Sequence, residues 1–152
     1  MSTRSTIAIQ NDDGSVTGVY CHWNGYLDYN GIMLITNYKS PSKVKNMIRL
    51  GDMSVLRSRW RVPAGEDHHF DDPCAKVNIY YGRDRGENDV SPLTCNDWSE
   101  FINKCGQEYN YLFSNGEWWV ECNGSRETVN DRLKRMYTAE EIRQIKQNIK
   151  RY

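Results

Sequence analysis

Residues 18–31 read GVYCHWNGYLDYNG, with one histidine, one tryptophan, three tyrosines and two asparagines set around three glycines and a single formal charge. Indole, imidazole and phenol groups can both stack and hydrogen-bond, so His22, Trp23, Asn24 and Tyr26, with Tyr29, are candidates to line a polar aromatic pocket. The glycines and asparagines have a second reading as turn chemistry, in which Tyr20, Trp23 and Leu27 belong to the core and the rest is a corner. A second group is YYGRDRGE at 80–87, where Arg83, Asp84 and Arg85 stand between two glycines. Guanidinium forks grip phosphate or carboxylate bidentately, while an Arg–Asp pair can equally pin a surface loop. A third group is HHFDDPC at 68–74, from which His69 is taken as a further ligand-binding candidate. The expectation is that these three segments converge on one face.

Other chemistries are poorly matched. His68, His69, Asp71, Asp72, Cys74, Cys21 and His22 are ligand types that zinc accepts, but no CxxC or HxxxH spacing joins them, so no metal site is expected. Five cysteines and three histidines make chance Cys–His pairs easy, and no nucleophile signature surrounds any of them. The arginine loop lacks the strand, glycine-rich turn and helix of a P-loop. No cofactor is expected, no catalytic residue is assigned, and the sequence favours a binding protein over an enzyme.

These groups sit in a chain of 152 residues that is 38% hydrophobic and 26% charged. A chain of that length is most simply one domain, 1–152, large enough to bury about 70% of its unfolded surface without staples. No apolar run approaches the roughly 18 residues of a membrane span, and MSTRSTIAIQ is not a signal peptide, so a cytoplasmic location with reduced thiols is expected. The charges cancel overall but segregate. Lys39 to Arg61 carries seven basic residues against one acid, 83–123 carries three against eight, and 126–152 carries eight against four. A neutral total argues against a DNA mimic and against strong nonspecific DNA binding, while leaving room for a local basic face.

The patterning predicts an α+β domain, with a mainly antiparallel sheet of hairpins and about three packed helices. Strands are expected at 5–10 and 15–23 around the NDDG turn, at 57–62 and at 76–81. Arg57, Arg59 and Arg61 would then form the wet face of an edge strand or a phosphate-contacting stripe. Asn115-Gly116 between 110–114 and 117–122 is the strongest hairpin signal. Helices are expected near 32–38, over 41–50 behind Ser40-Pro41, over 94–106, and over 138–150 behind a Thr138–Glu141 capping box. In that last helix Ile142, Ile145, Ile149 and Tyr152 form a narrow apolar seam, to be buried on its own domain or against a twofold partner as a homodimer.

The run TRSTIAIQNDDGSVTGVYCHWNGYLDYNG, then LGDMSVL at 50–56 and HHFDDPCAKVNIYYGRDRGE at 68–87, resembles a group of small tailed-bacteriophage proteins. Their shared features are a TRSTIA start, YCHWDGY, an LGD-S-L segment and HxFDxP…YGRDRGE. The likeness extends over most of 3–122, with Asn24 where the group carries aspartate and with a distinct basic tail. It implies phage origin and action in the cytoplasm of an infected host, and no activity comes with it. Two functions follow as expectations. One is a non-catalytic accessory protein that binds and inhibits a host protein, such as a defence component. The other is a binder, or cleaver, of a nucleotide-type ligand or short nucleic acid, using the aromatic corner with Arg83 or Arg85.

Overall fold

In the computed structural model, which describes residues 2–152, the first strands already show why the sheet has two unlike faces. β1 (Ser5–Gln10) alternates, sending Ile7 and Ile9 to one side and Ala8 to the other. β2 (Val16–Cys21) returns antiparallel to it across the NDDG turn. β6 (Tyr109–Ser114) lies parallel to β1 on its other side, with Ile7 opposite Tyr111. β7 (Glu117–Cys122) and β8 (Ser125–Thr128) extend the sheet antiparallel, so its order is β4-β3-β2-β1-β6-β7-β8. At the far edge are β3 (Met53–Val55), parallel to β2, and β4 (Ile79–Tyr80), antiparallel to β3. β5 (Leu93–Cys95) pairs with the beginning of β2. Five of these seven pairings are antiparallel, and the architecture is α+β, as the patterning predicts.

The larger core lies on the Ile7 face. It is covered by α1 (Ile32–Asn37), α2 (Pro41–Arg49), α5 (Val129–Met136) and α6 (Ala139–Ile149). The starts of α2 and α6 have a local cause. Ser40 accepts from Lys43 N ahead of Pro41, and Thr138 with Glu141 completes the reciprocal capping box. On the opposite face α4 (Trp98–Cys105), capped by Asp97, lays Phe101 over Ala8, Val16, Cys95 and Leu112. α3 (Tyr81–Arg85) is a short helix directly after β4.

Several expectations need correction. The described residues hold six α-helices, the four placed along the sequence plus α3 and α5, around a fold expected to carry about three. Thr128 caps α5 through Asp131 N, a local signal present in TVND. The region 94–106 splits into β5 and α4. β2 stops at Cys21, and the strand expected over 76–81 keeps only Ile79 and Tyr80. The 57–62 strand does not form; a single bridge between Arg59 and Val77 stands there. Its backbone groups are taken elsewhere. Tyr38 Oη donates to Arg57 O at 2.7 Å, Arg57 N donates to Asn78 Oδ1, and Ser58 N donates to Tyr152 O at 3.1 Å. Buried side chains have outcompeted the strand ladder, despite strict alternation of the sequence.

The apolar seam of α6 is covered by its own chain. Ile149 is buried in the main core, and Ile142, Ile145 and Tyr152 pack against it, beside α1 and α5. Tyr152 lies 5.4 Å from Tyr29, ring to ring. Only Ile149 is fully buried, while Ile142, Ile145 and Tyr152 are partly buried against the domain's own core. No helix among the described residues is long and apolar enough to cross a membrane.

Candidate functional site

The aromatic corner is built by backbone hydrogen bonds before its side chains contribute anything. Beyond the end of β2, His22 N and Trp23 N donate to Met53 O and Ser54 O, each at 3.0 Å. Asn24 then takes a left-handed conformation, φ 61°, which asparagine tolerates better than most residues. Gly25 N donates to Thr3 O at 2.7 Å, and a Cβ at position 25 would come within 2.7 Å of that same oxygen. Close approach, rather than a special φ, requires glycine there. Tyr111 Oη donates to Gly25 O from the centre of the sheet, and buried Asn30 Nδ2 reaches Ser5 Oγ at 3.1 Å. A single π-helical turn, Leu27–Gly31, hands the chain to α1.

On this frame the side chains divide. Leu27, Tyr29 and Asn30 are buried, whereas Trp23 and Tyr26 are 43% and 37% exposed. The outer groups hold one another in place. Tyr20 Oη and His22 Nδ1 are 2.6 Å apart, His22 meets Trp23 edge-on at 4.7 Å, and Tyr26 Oη donates to Asn24 Oδ1 at 3.0 Å. The corner thus carries two side-chain contacts on one backbone turn, Tyr20–His22–Trp23 and Asn24–Tyr26. Pre-arrangement matters because ordering side chains on binding costs free energy that here is already spent in folding.

The arginine segment does something else. Arg83 sends Nε to Asp84 Oδ1 at 2.7 Å, Nη1 to Trp60 O at 2.5 Å, and Nη2 to Asn78 O at 2.8 Å and Asp84 Oδ2 at 3.1 Å. Every nitrogen of its guanidinium is engaged, and the result is a clamp between α3 and the 60–78 segment. Asp84 is almost wholly buried and also accepts from Tyr80 N at 2.8 Å. Burial pushes its pKa up, but the bonds from Arg83, Tyr80 N and His68 outweigh that and hold it below the usual carboxylate value. His68 belongs to the clamp. Its Nδ1 accepts from Cys74 N at 2.9 Å, which leaves Nε2 to donate to Asp84 Oδ2 at 3.1 Å. His69, the ligand-binding candidate read from the sequence, is exposed and joins only through backbone bonds with Asp72, while its neighbour His68 is the one that contacts Asp84. Arg85 is exposed, pairs with Glu87, and lies over the Phe70 and Tyr81 rings at 4.5 and 5.0 Å.

The corner and the clamp are linked through β3: Met53 bonds the corner and faces Tyr80, the residue before α3. Their side chains nonetheless serve separate partners. His22 turns to Tyr20 and Trp23, and Arg83 to Trp60, Asn78 and Asp84, so the aromatic–arginine pocket read from the sequence is not assembled from Arg83.

Three of the thiols, Cys21, Cys74 and Cys105, are pushed towards the protonated form. Burial raises the pKa of Cys21 and of Cys105 to about 11. Cys74 is the thiol next to a clamp histidine, yet its Sγ donates to Glu66 Oε2 at 2.8 Å, and that bond, with some desolvation, pushes its pKa up. Among the described residues, no group of three or more His, Cys, Asp or Glu side chains is placed to hold a metal ion. Sequence reasoning missed one further feature: Lys43, Arg59, Lys76 and Lys150, scattered along the chain, line a common cavity. Compared with family models, with curated proteins and with solved structures, the chain matches none.

Proposed function

We propose that this chain is a phage-type accessory protein that binds, without catalysis, to a host protein in the cytoplasm of the infected cell and blocks it, a defence component being the kind of target meant. The carrying observation is that Trp23 and Tyr26 are both exposed on a hydrogen-bonded backbone turn, the first edge-on to His22 and the second bonded to Asn24. Tryptophan and tyrosine dominate binding hot spots because a large rigid surface is buried at small entropic cost. The corner carries little charge, which suits a protein surface with an apolar pocket more than a phosphate-rich partner. The raised Cys21 and Cys105 thiols are poor nucleophiles, which favours a binding role for this part of the chain. The resemblance of the TRSTIA, YCHWNGY and YGRDRGE segments to phage proteins supports the host setting. A nucleotide gripped between this corner and Arg83 would need a free guanidinium, and that of Arg83 is engaged.

The test is affinity capture from bacterial lysate with the intact chain and with Trp23→Ala/Tyr26→Ala. One host protein retained by the first and lost by the second is expected. An identical set of captured proteins for both chains would refute the corner as the docking surface.

A further inference from the structure

Four cations from four separate segments meet at one cavity of about 320 Å3. They are Lys43 on α2, Arg59 after β3, Lys76 before β4 and Lys150 just past α6, and Thr36, Asn37 and Ser58 complete its polar lining. Among the described residues, no Asp or Glu side chain lines it. None of the ion pairs among the described residues includes any of the four cations. Lys43 Nζ is held at 3.2 Å from Ser58 O and 4.7 Å from the Tyr38 ring centre. Burial, and then the charge of Arg59, press its pKa down. Glu66 keeps its carboxylate on the Cys74 thiol, and the main-chain oxygen of Tyr152 is taken by Ser58 N and Oγ.

Like charges gathered with no acidic side chain among the lining repel one another, a cost that a bound anion would relieve. Two further observations point the same way. Thr36 Oγ1 is buried in the lining with no hydrogen-bond partner. Lys76 is held left-handed at φ 66°, locked by Arg59 N donating to Lys76 O and by Asn78 N donating to Arg59 O. That conformation is disfavoured for lysine and is the sort of local strain retained where geometry matters. An adjoining hollow of about 260 Å3 shares Lys43, Ser58 and Arg59 and continues to Trp60 and Arg61. The Arg61 guanidinium lies 5.1 Å from the Trp60 ring centre, extending the positive surface outward.

We propose that this cavity binds a phosphate-bearing small anion of the pyrophosphate type, either free or as the phosphate tail of a nucleotide. Convergence of the cations on one hollow, in a chain of zero net charge, fits a compact multivalent anion. A duplex backbone would call for an extended stripe, and the stripe of Arg57, Arg59 and Arg61 is broken up because 57–62 is not a strand. The site is independent of the aromatic corner.

Titration calorimetry of the full chain at low salt with pyrophosphate and, separately, adenosine diphosphate tests the proposal. Arg59→Gln/Lys150→Gln is the comparison, because both side chains are exposed and their loss leaves the core intact. The expected result is one site per chain, weakened by added salt and weakened roughly tenfold or more in the double variant. The variant's own Tm should hold or rise, because repulsion has been removed, and this separates lost binding from lost folding. Binding of both ligands identifies a nucleotide tail as an acceptable source, and binding of pyrophosphate alone identifies the free anion. No binding of either at millimolar concentration, or equal binding by the double variant, would overturn the proposal.

Discussion

At Asp84, four polar contacts meet a carboxylate that is nearly out of solvent: two from Arg83, one from Tyr80 N and one from His68. Removing one partner of such a pair is costly because the other is left desolvated, so Asp84→Asn should destabilise by about 2–3 kcal/mol in urea unfolding. The pH dependence follows from the direction of its shift. The folded pKa lies below the unfolded value of about 3.9, so the carboxylate's contribution is complete above that pH and is lost as pH falls through the folded pKa. The urea midpoint should therefore drop more steeply below about pH 4 in the natural chain than in Asp84→Asn. Parallel curves would assign the stability to the neighbouring contacts instead. Residue types alone made the Arg83–Asp84 pair visible but not its purpose. Ligand grip and loop clamp use the same groups, and what separates them is where Trp60 O and Asn78 O lie. Adjacent His68 and His69 are likewise indistinguishable until the backbone turns one of them inward.

Among the elements, those with strong local signals were legible: β1 by alternation, the β6–β7 hairpin by Asn115-Gly116 at φ 52° and 77°, and α2 and α6 by their caps. The 57–62 segment was misread because Tyr38 and Asn78, distant in sequence, claim its backbone. Two outcomes test the packing of elements. Ile149→Ala should cost about 2–4 kcal/mol while the mass by light scattering stays the same as that of the natural chain, since Ile149 is buried in its own domain's core. A change of mass on substitution would restore the twofold partner. On the other face, a Cβ at Gly18 would sit 2.5 Å from the Phe101 ring and 2.7 Å from Ala8 Cβ. Gly18→Ala should therefore cost about 1–3 kcal/mol by overpacking α4 against β2, read from the thermal midpoint. A neutral result would mean that α4 can lift away from the sheet.

Over the whole molecule, the polar aromatic corner and the cation cavity share no residue and are built in different ways. The corner is contiguous in sequence, so its residues were legible as a candidate, though not which of them would face outward. The cavity draws on positions 43, 59, 76 and 150, and no spacing rule connects those before the chain has folded. Docking through the corner is the central claim, and its most direct test is the dissociation constant of the purified complex with the captured host protein. It should be measured for the natural chain, for Trp23→Ala/Tyr26→Ala and for Arg59→Gln/Lys150→Gln. Loss of two hot-spot side chains should weaken the complex about thirtyfold or more, with the charge variant unchanged. Equal affinity for the natural chain and the aromatic variant, or a loss confined to the charge variant, would contradict it.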